Sequence, residues 1–273
     1  MNIKPHEYQL QTVPNGADII QIAEYEDANK DCVQQLPLLP EHLKSDKGNY
    51  LAIAEWLLRD NFNNWAYLEL DIEIDLPKWE EELNGVYDRF VPHPDQPNQL
   101  LYESLTLHGF SPEHTMYYTK YLDHPYAEET EMPYCWTEIA DKCPTIANFW
   151  KNEFPIEKWN RVRFLRMRSG GYIGIHRDMT LNQSEYWDVF NMEFGVNMSI
   201  THPNGCETWF EGFGKVPWKP GKFFLHNISK IHWVHNFTGY DRVHMIPMGY
   251  VGNKKEKFAE IVAKSYLRQT GQL

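Results

Sequence analysis

The sequence predicts a mainly β domain with flanking helices. Between residues 161 and 249, short apolar runs alternate with turn residues, and the clearest turn is the His-Pro-Asn-Gly sequence at 202–205. Several short strands at this spacing are typical of a sandwich or a barrel. The first half adds one strand, in which apolar and acidic residues alternate over 66–75, and two helices whose apolar residues repeat every three or four positions.

The predicted elements follow a simple order along the chain. Residues 1–64 form an irregular leader and a helix packed on the core, and residues 65–273 form the main domain, as a single globular unit. Pro77 suits the first turn of a helix, and Asn253 with Glu256 opens the last helix. The predicted helices are 50–61, 77–90, 144–154 and the chain after 253, and the predicted strands are 66–75, 161–168, 195–201, 206–210, 222–226, 231–236 and 242–249, with a weaker pattern at 102–110.

Composition and charge exclude several classes of protein. The 273 residues include 10 Trp, 16 Tyr and 14 Phe, which predicts a folded, well-packed protein. The net charge of -12 argues against binding to nucleic acid or to an anionic membrane, since both need a basic surface. The four cysteines form no C-x-x-C pair, and no apolar run resembles a signal peptide core or a membrane span. We therefore expect a cytoplasmic protein without a disulfide scaffold.

A candidate metal site begins in the stretch GGYIGIHRD, residues 170–178. Alternate side chains of an extended strand share one face, so His176 and Asp178 point the same way while Arg177 points away. An imidazole and a carboxylate on one face can hold a metal ion. A His-x-Asp sequence is more often an ordinary polar pair. It predicts a metal site only if the rest of the chain supplies a further ligand.

The third ligand must come from elsewhere in the chain, because a site with two histidines and one carboxylate needs three ligands on one side of the ion. His202 lies in a turn and is a poor candidate. His232 and His235 have opposite parity on one strand and cannot both face inward. Arg242 follows on the next strand, where a guanidinium can hold a carboxylate through two hydrogen bonds, and this favours His232. The candidates considered are His202, His226, His232, His235 and His244.

The same residues carry a resemblance to a known family. GYIGIHRD, together with PGKFFLHNISKIHWVHNFTGYDRVHMI, resembles the His-x-Asp, distal His and downstream Arg pattern of the iron(II)- and 2-oxoglutarate-dependent oxygenases. More closely, His232 to Asn236 with Arg242 resembles the motif of the aspartyl/asparaginyl β-hydroxylase-like branch, which includes some free-proline hydroxylases. The resemblance extends over about residues 65–251.

The resemblance implies a fold, a ligand set and a reaction. The fold is a double-stranded β-helix, which is a jelly-roll or cupin-like core. His176, Asp178 and His232 would bind Fe(II), and Arg242 would pair with the distal carboxylate of 2-oxoglutarate. The expected reaction is hydroxylation by dioxygen of an amino acid, a peptidyl side chain or a related small molecule, with succinate and CO2 as co-products.

One departure from the family pattern concerns the cosubstrate. The family commonly carries Arg-x-His before the central turn, where this chain has Gly195 and Asn197. Asn197 still offers a hydrogen-bond donor, so it is a candidate contact for 2-oxoglutarate. Trp209 and Phe210 are candidates for shielding the pocket from water, although core packing is the more common role of such residues.

Two other functions are compatible with the sequence. The same three ligands can hold zinc for hydrolysis, although hydrolysis has no need of a carboxylate clamp at Arg242. Alternatively, the chain is a non-catalytic binding module whose aromatic residues contact a carbohydrate or a protein, and the histidines are incidental.

A basic cluster precedes the metal pair. Arg161, Arg163, Arg166 and Arg168 stand close together in an otherwise acidic protein. They either meet an anionic group of the substrate or form surface ion pairs with the acidic strand, and the sequence does not decide between these roles.

Overall fold

The fold is an antiparallel β structure with helices packed against it. The computed structural model describes residues 16–93, 99–109, 111–112, 134–178 and 195–273. In these residues the helices are α1 (Gly16–Asn29), α2 (Glu41–Lys44), α3 (Tyr50–Glu55), α4 (Leu76–Asn84), α5 (Glu138–Lys142), α6 (Pro144–Asn148) and α7 (Lys255–Gln269). The strands are β1 (Tyr67–Leu70), β2 (Val91–Pro92), β3 (Gln99–Gly109), β4 (Cys135–Trp136), β5 (Lys158–His176), β6 (Gly195–Thr201), β7 (Cys206–Phe210), β8 (Gly214–Lys215), β9 (Phe223–His226), β10 (His232–Asn236), β11 (Arg242–Met245) and β12 (Met248–Tyr250).

The long strand β5 belongs to two sheets. Its first part pairs with β11 and its second part pairs with β10. The first sheet therefore has the order β1-β9-β6-β11-β5, and the second has the order β5-β10-β7-β8. Along its other edge, β5 pairs with β3 in both parts. All of these pairings are antiparallel.

The order of the strands is that of a jelly roll. When the two parts of β5 are taken as separate strands, the chain passes repeatedly between the two sheets, and this connectivity defines a double-stranded β-helix. The predicted fold class, mainly β with flanking helices around a double-stranded β-helix core, is confirmed.

A glycine pair marks the point where β5 passes from one sheet to the other. Gly170 has a φ of 83°, in the left-handed region that favours glycine. At Gly171 a Cβ atom would lie 2.8 Å from Cγ of Met167 and 2.9 Å from the carbonyl oxygen of Leu100. The predicted strand, which ended at residue 168, is therefore only the first part of β5.

The main core lies between the first sheet and the helices α3, α4, α6 and α7. One face of the sheet contributes apolar side chains to this core, and the helices contribute the rest. Burying a side chain of this size stabilises the fold by roughly 1.5–3 kcal/mol. Its members include Ile53, Trp79, Trp150, Met198, Phe223, Met245 and Phe258.

The predicted helices are present but are shorter or less regular than expected. The helix predicted over 50–61 is α3 followed by a π-helical turn at Trp56–Asp60. The helix predicted over 77–90 ends at Asn84, and a short 3-10 turn follows at Tyr87–Arg89. A second π-helical turn, Phe149–Glu153, continues α6. The helices at 50–61, at 77–90 and after residue 253 present the apolar faces that the sequence predicted.

The first part of the chain departs furthest from the sequence prediction. The alternating strand predicted over 66–75 is limited to β1, which pairs with the four residues of β9. The helix α1 was not predicted, since the leader was expected to be irregular before residue 50. Residues 1–15 lie outside the described residues, and the division of the chain at residue 64 stays a prediction. Among the helices described, none has the length and apolar character needed to cross a membrane.

Candidate metal centre

Strand alternation lines the interior of the jelly roll with polar side chains. On β6, Met198 packs against the helices and Asn197 faces the interior. On β11, Val243 packs against the helices and Arg242 faces the interior. His226 of β9 also faces inward, so three neighbouring strands supply polar groups to one cavity of about 330 Å³.

The predicted metal ligands lie together at one end of this cavity. His232 of β10 is the register partner of His176 at the end of β5. Nε2 of His176 lies 3.5 Å from Oδ1 of Asp178, and Nε2 of His232 lies 3.9 Å from Oδ2 of the same carboxylate. One ligand atom from each residue lies within 4.8 Å of the other two. The three groups therefore converge on a single point.

Hydrogen bonds orient both imidazoles. Nδ1 of His176 lies 2.7 Å from the carbonyl oxygen of Gly174, and Nδ1 of His232 lies 2.9 Å from that of Lys230. A carbonyl oxygen only accepts, so each Nδ1 carries the proton and donates it. Nε2 is therefore the ring atom that faces the candidate metal position in both residues, as a histidine ligand requires.

The protonation states of the three groups depend on one another. Burial and the neighbouring His176 lower the pKa of His232 to about 4, so this ring is neutral at pH 7. Burial also acts to lower the pKa of His176, but Asp178 outweighs it and the net shift is upward. Burial acts to raise the pKa of Asp178, but the two histidines outweigh it and the net shift is downward. Asp178 is therefore an anion that favours a cation beside it.

The protein satisfies the guanidinium of Arg242 only in part. Arg242 is 3% exposed, and its Nη2 lies 2.8 Å from Nδ1 of His244. Its Nε and Nη1 have no hydrogen-bond partner among the described residues. Burial and Arg242 lower the pKa of His244, which is therefore neutral and accepts from the guanidinium. His244 in turn lies 3.1 Å, through Nε2, from Nδ1 of His202. A buried cation with free N–H groups is suited to bind a carboxylate.

Asn197 is coupled to a histidine that sequence reasoning considered only as a metal ligand. Its Nδ2 lies 3.1 Å from Nδ1 of His226. If the amide donates, His226 carries its proton on Nε2, and this atom is buried without a partner among the described residues. Burial lowers the pKa of His226 to about 3, so the ring is a neutral donor. His226 is the last inward-facing residue of β9. This position is the feature of the sequence that could have identified it as a group of the site.

The candidate shielding residues separate onto the two sides of the second sheet. Phe210 stacks on His232, with ring centroids 5.2 Å apart, and it also packs edge-on against His226. Trp209 faces the other way and stacks on Trp233, with centroids 6.1 Å apart. Phe210 therefore borders the candidate metal centre, and Trp209 belongs to a cluster outside the jelly roll.

His235 belongs to a second group of polar side chains, which lies on the outer face. Glu26, Glu207 and His235 also bring ligand atoms within 4.8 Å of one another. Each carboxylate accepts a hydrogen bond from a tryptophan indole, at 3.3 and 2.9 Å, and Glu207 also binds Lys215 at 2.6 Å. These contacts already engage the carboxylates and fasten α1 to the second sheet.

Comparison with protein families identifies the relatives of this site. Residues 126–248 match the family model described as Aspartyl/Asparaginyl beta-hydroxylase. The family resemblance is confirmed. The matched residues include His176, Asp178, His232 and Arg242, and the description of the model as a hydroxylase agrees with the enzyme class that the resemblance implied. No protein with a curated description matches the chain.

Several solved oxygenase structures are distantly similar to the chain. The viral collagen prolyl hydroxylase of Paramecium Bursaria Chlorella virus-1, solved as a 2OG complex, is 14% identical and has a TM-score of 0.38, covering 68% of this chain and 96% of its own. A 2OG-Fe(II) oxygenase family protein of Burkholderia pseudomallei is 15% identical with a TM-score of 0.39, covering 76% and 93%. A prolyl hydroxylase of Trichoplax adhaerens, in complex with a hypoxia inducible factor peptide, is 10% identical with a TM-score of 0.43, covering 81% and 97%. The fold assignment rests on the strand order and not on these similarities.

The side chains present fit both groups that a hydroxylase of this family binds. Two imidazole nitrogens and one carboxylate form the donor set typical of non-haem Fe(II). The unsatisfied N–H groups of Arg242 fit a carboxylate of 2-oxoglutarate, and Arg242 lines the same cavity as His176, Asp178 and His232. The cavity therefore offers a place for a metal and, beside it, a place for an organic acid.

Proposed function

We propose that this chain is an Fe(II)- and 2-oxoglutarate-dependent dioxygenase that hydroxylates an amino acid, a peptidyl side chain or a related small molecule. His176, Asp178 and His232 hold the iron. The observation that carries the proposal is the convergence of these three groups beside a buried, partly unsatisfied guanidinium. When bound, iron(II) and 2-oxoglutarate supply the oxidation, in which dioxygen places one oxygen atom in a C–H bond and the other in succinate, with release of CO2.

Arg242 holds the distal carboxylate of 2-oxoglutarate. Its Nε and Nη1 have no partner among the described residues, and Nη2 uses one of its two N–H groups on His244. Two parallel hydrogen bonds to a carboxylate can therefore come from Nε with the second N–H of Nη2, or from Nη1 with Nη2. His244 fixes the orientation of the guanidinium. A charged clamp in a buried site binds more strongly than the same pair in water, since solvent does not screen it.

Asn197 acts on the cosubstrate side of the pocket through His226. The amide orients the imidazole so that Nε2–H points away from Asn197 and toward the cavity lining. His226 is the register partner of Gly195, one of the two positions at which the family commonly carries Arg-x-His. The role predicted for Asn197 thus becomes a positioning role, with His226 as the contacting group.

The surrounding apolar side chains keep the reacting region dry. Phe210 covers the ring of His232 and the edge of His226. Ile173 and Val234, from β5 and β10, line the same cavity. A dry cavity strengthens the electrostatic contacts of the cosubstrate and limits side reactions with water.

A product assay separates this function from zinc-dependent hydrolysis on the same ligands. The purified protein is incubated in air with isotopically labelled 2-oxoglutarate and either Fe(II) or Zn(II), and labelled succinate is measured. We expect slow succinate formation with Fe(II) even without a substrate, none with Zn(II), and none in His176→Ala. Equal rates with and without iron would contradict the proposal. A non-catalytic binding module would give no succinate under any condition.

A further inference from the structure

Two histidines extend the hydrogen bonding of Arg242 away from the cavity. Nη2 of Arg242 lies 2.8 Å from Nδ1 of His244, and Nε2 of His244 lies 3.1 Å from Nδ1 of His202. His244 is fully buried on β11, whereas His202 is half-buried in the turn that follows β6. His202, which its turn position disfavoured as a metal ligand, thus belongs to the hydrogen bonding of the site.

The guanidinium fixes the direction of these hydrogen bonds. An arginine N–H only donates, so Nδ1 of His244 accepts and the proton of this neutral ring is on Nε2, which donates to Nδ1 of His202. Burial, with a smaller effect of Arg242, lowers the pKa of His202 to about 4, so this ring is neutral as well. A hydrogen bond to the backbone of Cys206 acts to raise the same pKa, as it does when the ring is the donor. The N–H groups therefore all point one way, from Arg242 toward Cys206.

The surroundings hold both rings in place. Trp218 packs edge-on against His244 with ring centroids 4.4 Å apart, and the centroid of His202 lies 5.2 Å from that of His244. The side chain of Thr201 accepts a hydrogen bond from the backbone N–H of Val243 at 2.8 Å. The residue before His202 is thus tied to the residue before His244, and the turn presents His202 to β11 at a defined position.

His244 can hold Arg242 in only one of its two neutral tautomers. With its proton on Nδ1, the ring would point an N–H group at the N–H groups of Nη2, and this contact would be lost. His202 favours the other tautomer, because it is the acceptor for the proton on Nε2. Without that acceptor, the Nε2–H group of a fully buried ring would lack its partner, which is costly.

We propose that His202 is a positioning residue for 2-oxoglutarate, because it holds His244 in the tautomer that accepts a hydrogen bond from Arg242. The inference rests on the proposed function, in which Arg242 holds the distal carboxylate. His202 touches neither the cosubstrate nor the metal. It acts through His244 on the orientation of the guanidinium, and a clamp oriented in advance binds its carboxylate more tightly.

The test compares two acids that differ only at the end that Arg242 would bind. The protein is loaded with Mn(II) under argon, and calorimetry measures its affinity for 2-oxoglutarate and for 2-oxopentanoate. The second acid has the same chain length and the same 2-oxo acid group, but it ends in a methyl group. The preference for 2-oxoglutarate therefore reports the clamp, whereas general loosening of the site would weaken both acids.

Three variants separate the hydrogen bond from the ring and from the turn. His202→Phe keeps an aromatic ring beside Trp218 and removes the acceptor. His202→Asn keeps an acceptor oxygen near the position of Nδ1. Asn204→Ala is the matched control, since it changes an exposed residue of the same turn. The melting temperature reports whether each variant is folded.

We expect the unsubstituted protein to bind 2-oxoglutarate at least tenfold more tightly than 2-oxopentanoate. In His202→Phe the affinity for 2-oxoglutarate should fall by about fivefold or more, and the affinity for 2-oxopentanoate should stay within about twofold. His202→Asn should recover most of the loss, and Asn204→Ala should behave like the unsubstituted protein.

NMR of the ring nitrogens tests the tautomers directly, even if His202→Phe does not fold. The unsubstituted protein is labelled with ¹⁵N-histidine and loaded with Zn(II) in place of Mn(II). Signals that disappear in His202→Asn and in His244→Asn assign the two rings. Both rings should carry the proton on Nε2.

Four results would overturn the inference. They are an unchanged preference for 2-oxoglutarate in folded His202→Phe, an equal loss of affinity for both acids, no recovery in His202→Asn, and a proton on Nδ1 of His244. Each of them leaves the proposed function standing as long as the unsubstituted protein prefers 2-oxoglutarate. If the unsubstituted protein shows no such preference, the clamp at Arg242 is refuted, and the proposed function with it.

Discussion

Side-chain direction on β10 separates two histidines that are three positions apart. His232 faces the cavity beside His176, with ring centroids 4.2 Å apart. His235 faces outward, where its Nε2 lies 2.8 Å from Oε1 of Glu26. A single strand thus gives one histidine to the candidate metal centre and one to the contact with α1.

Replacing each of these histidines with alanine tests the proposed iron ligand. His232→Ala should abolish specific binding of Fe(II), because it removes one of three ligands, while His235→Ala should retain most of it and chiefly loosen α1. Anaerobic calorimetry with Fe(II) measures both affinities, and circular dichroism confirms that each variant is folded. The reverse order of affinities would show that the outer histidine is the ligand.

At the residue scale, the sequence predicts the face of a strand on which a side chain lies better than it predicts the residue that the side chain contacts. Alternation predicted that His176 and Asp178 share a face and that His232 and His235 do not. It did not predict that His244 would hold Arg242, because that contact depends on packing within the interior. The sequence left the role of the arginine cluster open. In the fold Arg161 and Arg163 line the cavity, whereas Arg166 and the exposed Arg168 lie on the other face of β5 and pair with Glu103 of β3, not with the acidic strand at 66–75.

At the scale of elements, the passage of β5 between sheets positions the site. The strand leaves the first sheet at Gly170 and Gly171 and enters the second sheet, where it ends at His176 beside β10. The backbone approach at Gly171 leaves no room for a side chain. The glycine pair thus allows β5 to turn into the second sheet, and this turn positions His176 beside β10.

Gly171→Ala should destabilise the protein by about 2 kcal/mol, because a Cβ atom there would overlap Met167 and the backbone of β3. Gly239→Ala is the control, since a Cβ atom at that turn meets nothing within 4 Å. Urea unfolding followed by tryptophan fluorescence measures both changes. Equal stability of the two variants would contradict the close approach.

At the element scale, local pattern predicted the type of most elements but not their extent. The strand at 66–75 alternates throughout, yet only Tyr67–Leu70 pairs, since β9 offers four residues. The length of β5 depends on β3, β10 and β11, which are distant in sequence. The helix α1 carries no strong apolar face, and its contacts with the second sheet were not readable from the sequence.

At the scale of the whole molecule, the first sheet has one face for stability and one for the site. Its helix-facing side is an apolar core, and its inner side carries buried polar groups.

Other buried polar groups lie outside the site. His108 on β3 is 9% exposed and packs edge-on against Trp136, with ring centroids 4.9 Å apart. Such buried rings make stability depend on pH.

Acid should destabilise the fold through His108. Burial, with a smaller effect of Lys151, lowers its pKa to about 4. The unfolded chain has the ordinary value near 6.5, so it binds more protons between these values, and the stability present above pH 6.5 is lost as pH falls toward 4. The loss from this residue is roughly 2 kcal/mol at pH 5.

Urea unfolding at pH 7.5 and pH 5 measures this loss, with and without the histidine. His108→Asn should show a smaller drop in the free energy of unfolding between the two pH values than the unsubstituted protein. His42→Asn, at an exposed position of α2, is the control and should behave like the unsubstituted protein. An unchanged drop in His108→Asn would contradict the assigned pKa.

The central claim is that the cavity binds iron(II) and 2-oxoglutarate together, with Arg242 as the carboxylate clamp. The most direct measurement is anaerobic addition of Fe(II) and 2-oxoglutarate to the apo-protein, followed through the weak visible charge-transfer band of a metal-chelated 2-oxo acid. The band should appear in the unsubstituted protein and in the surface control Arg168→Ala, whereas Arg242→Ala should need at least tenfold more 2-oxoglutarate to reach half of it. Absence of the band despite bound iron, or an unchanged titration in Arg242→Ala, would contradict the claim.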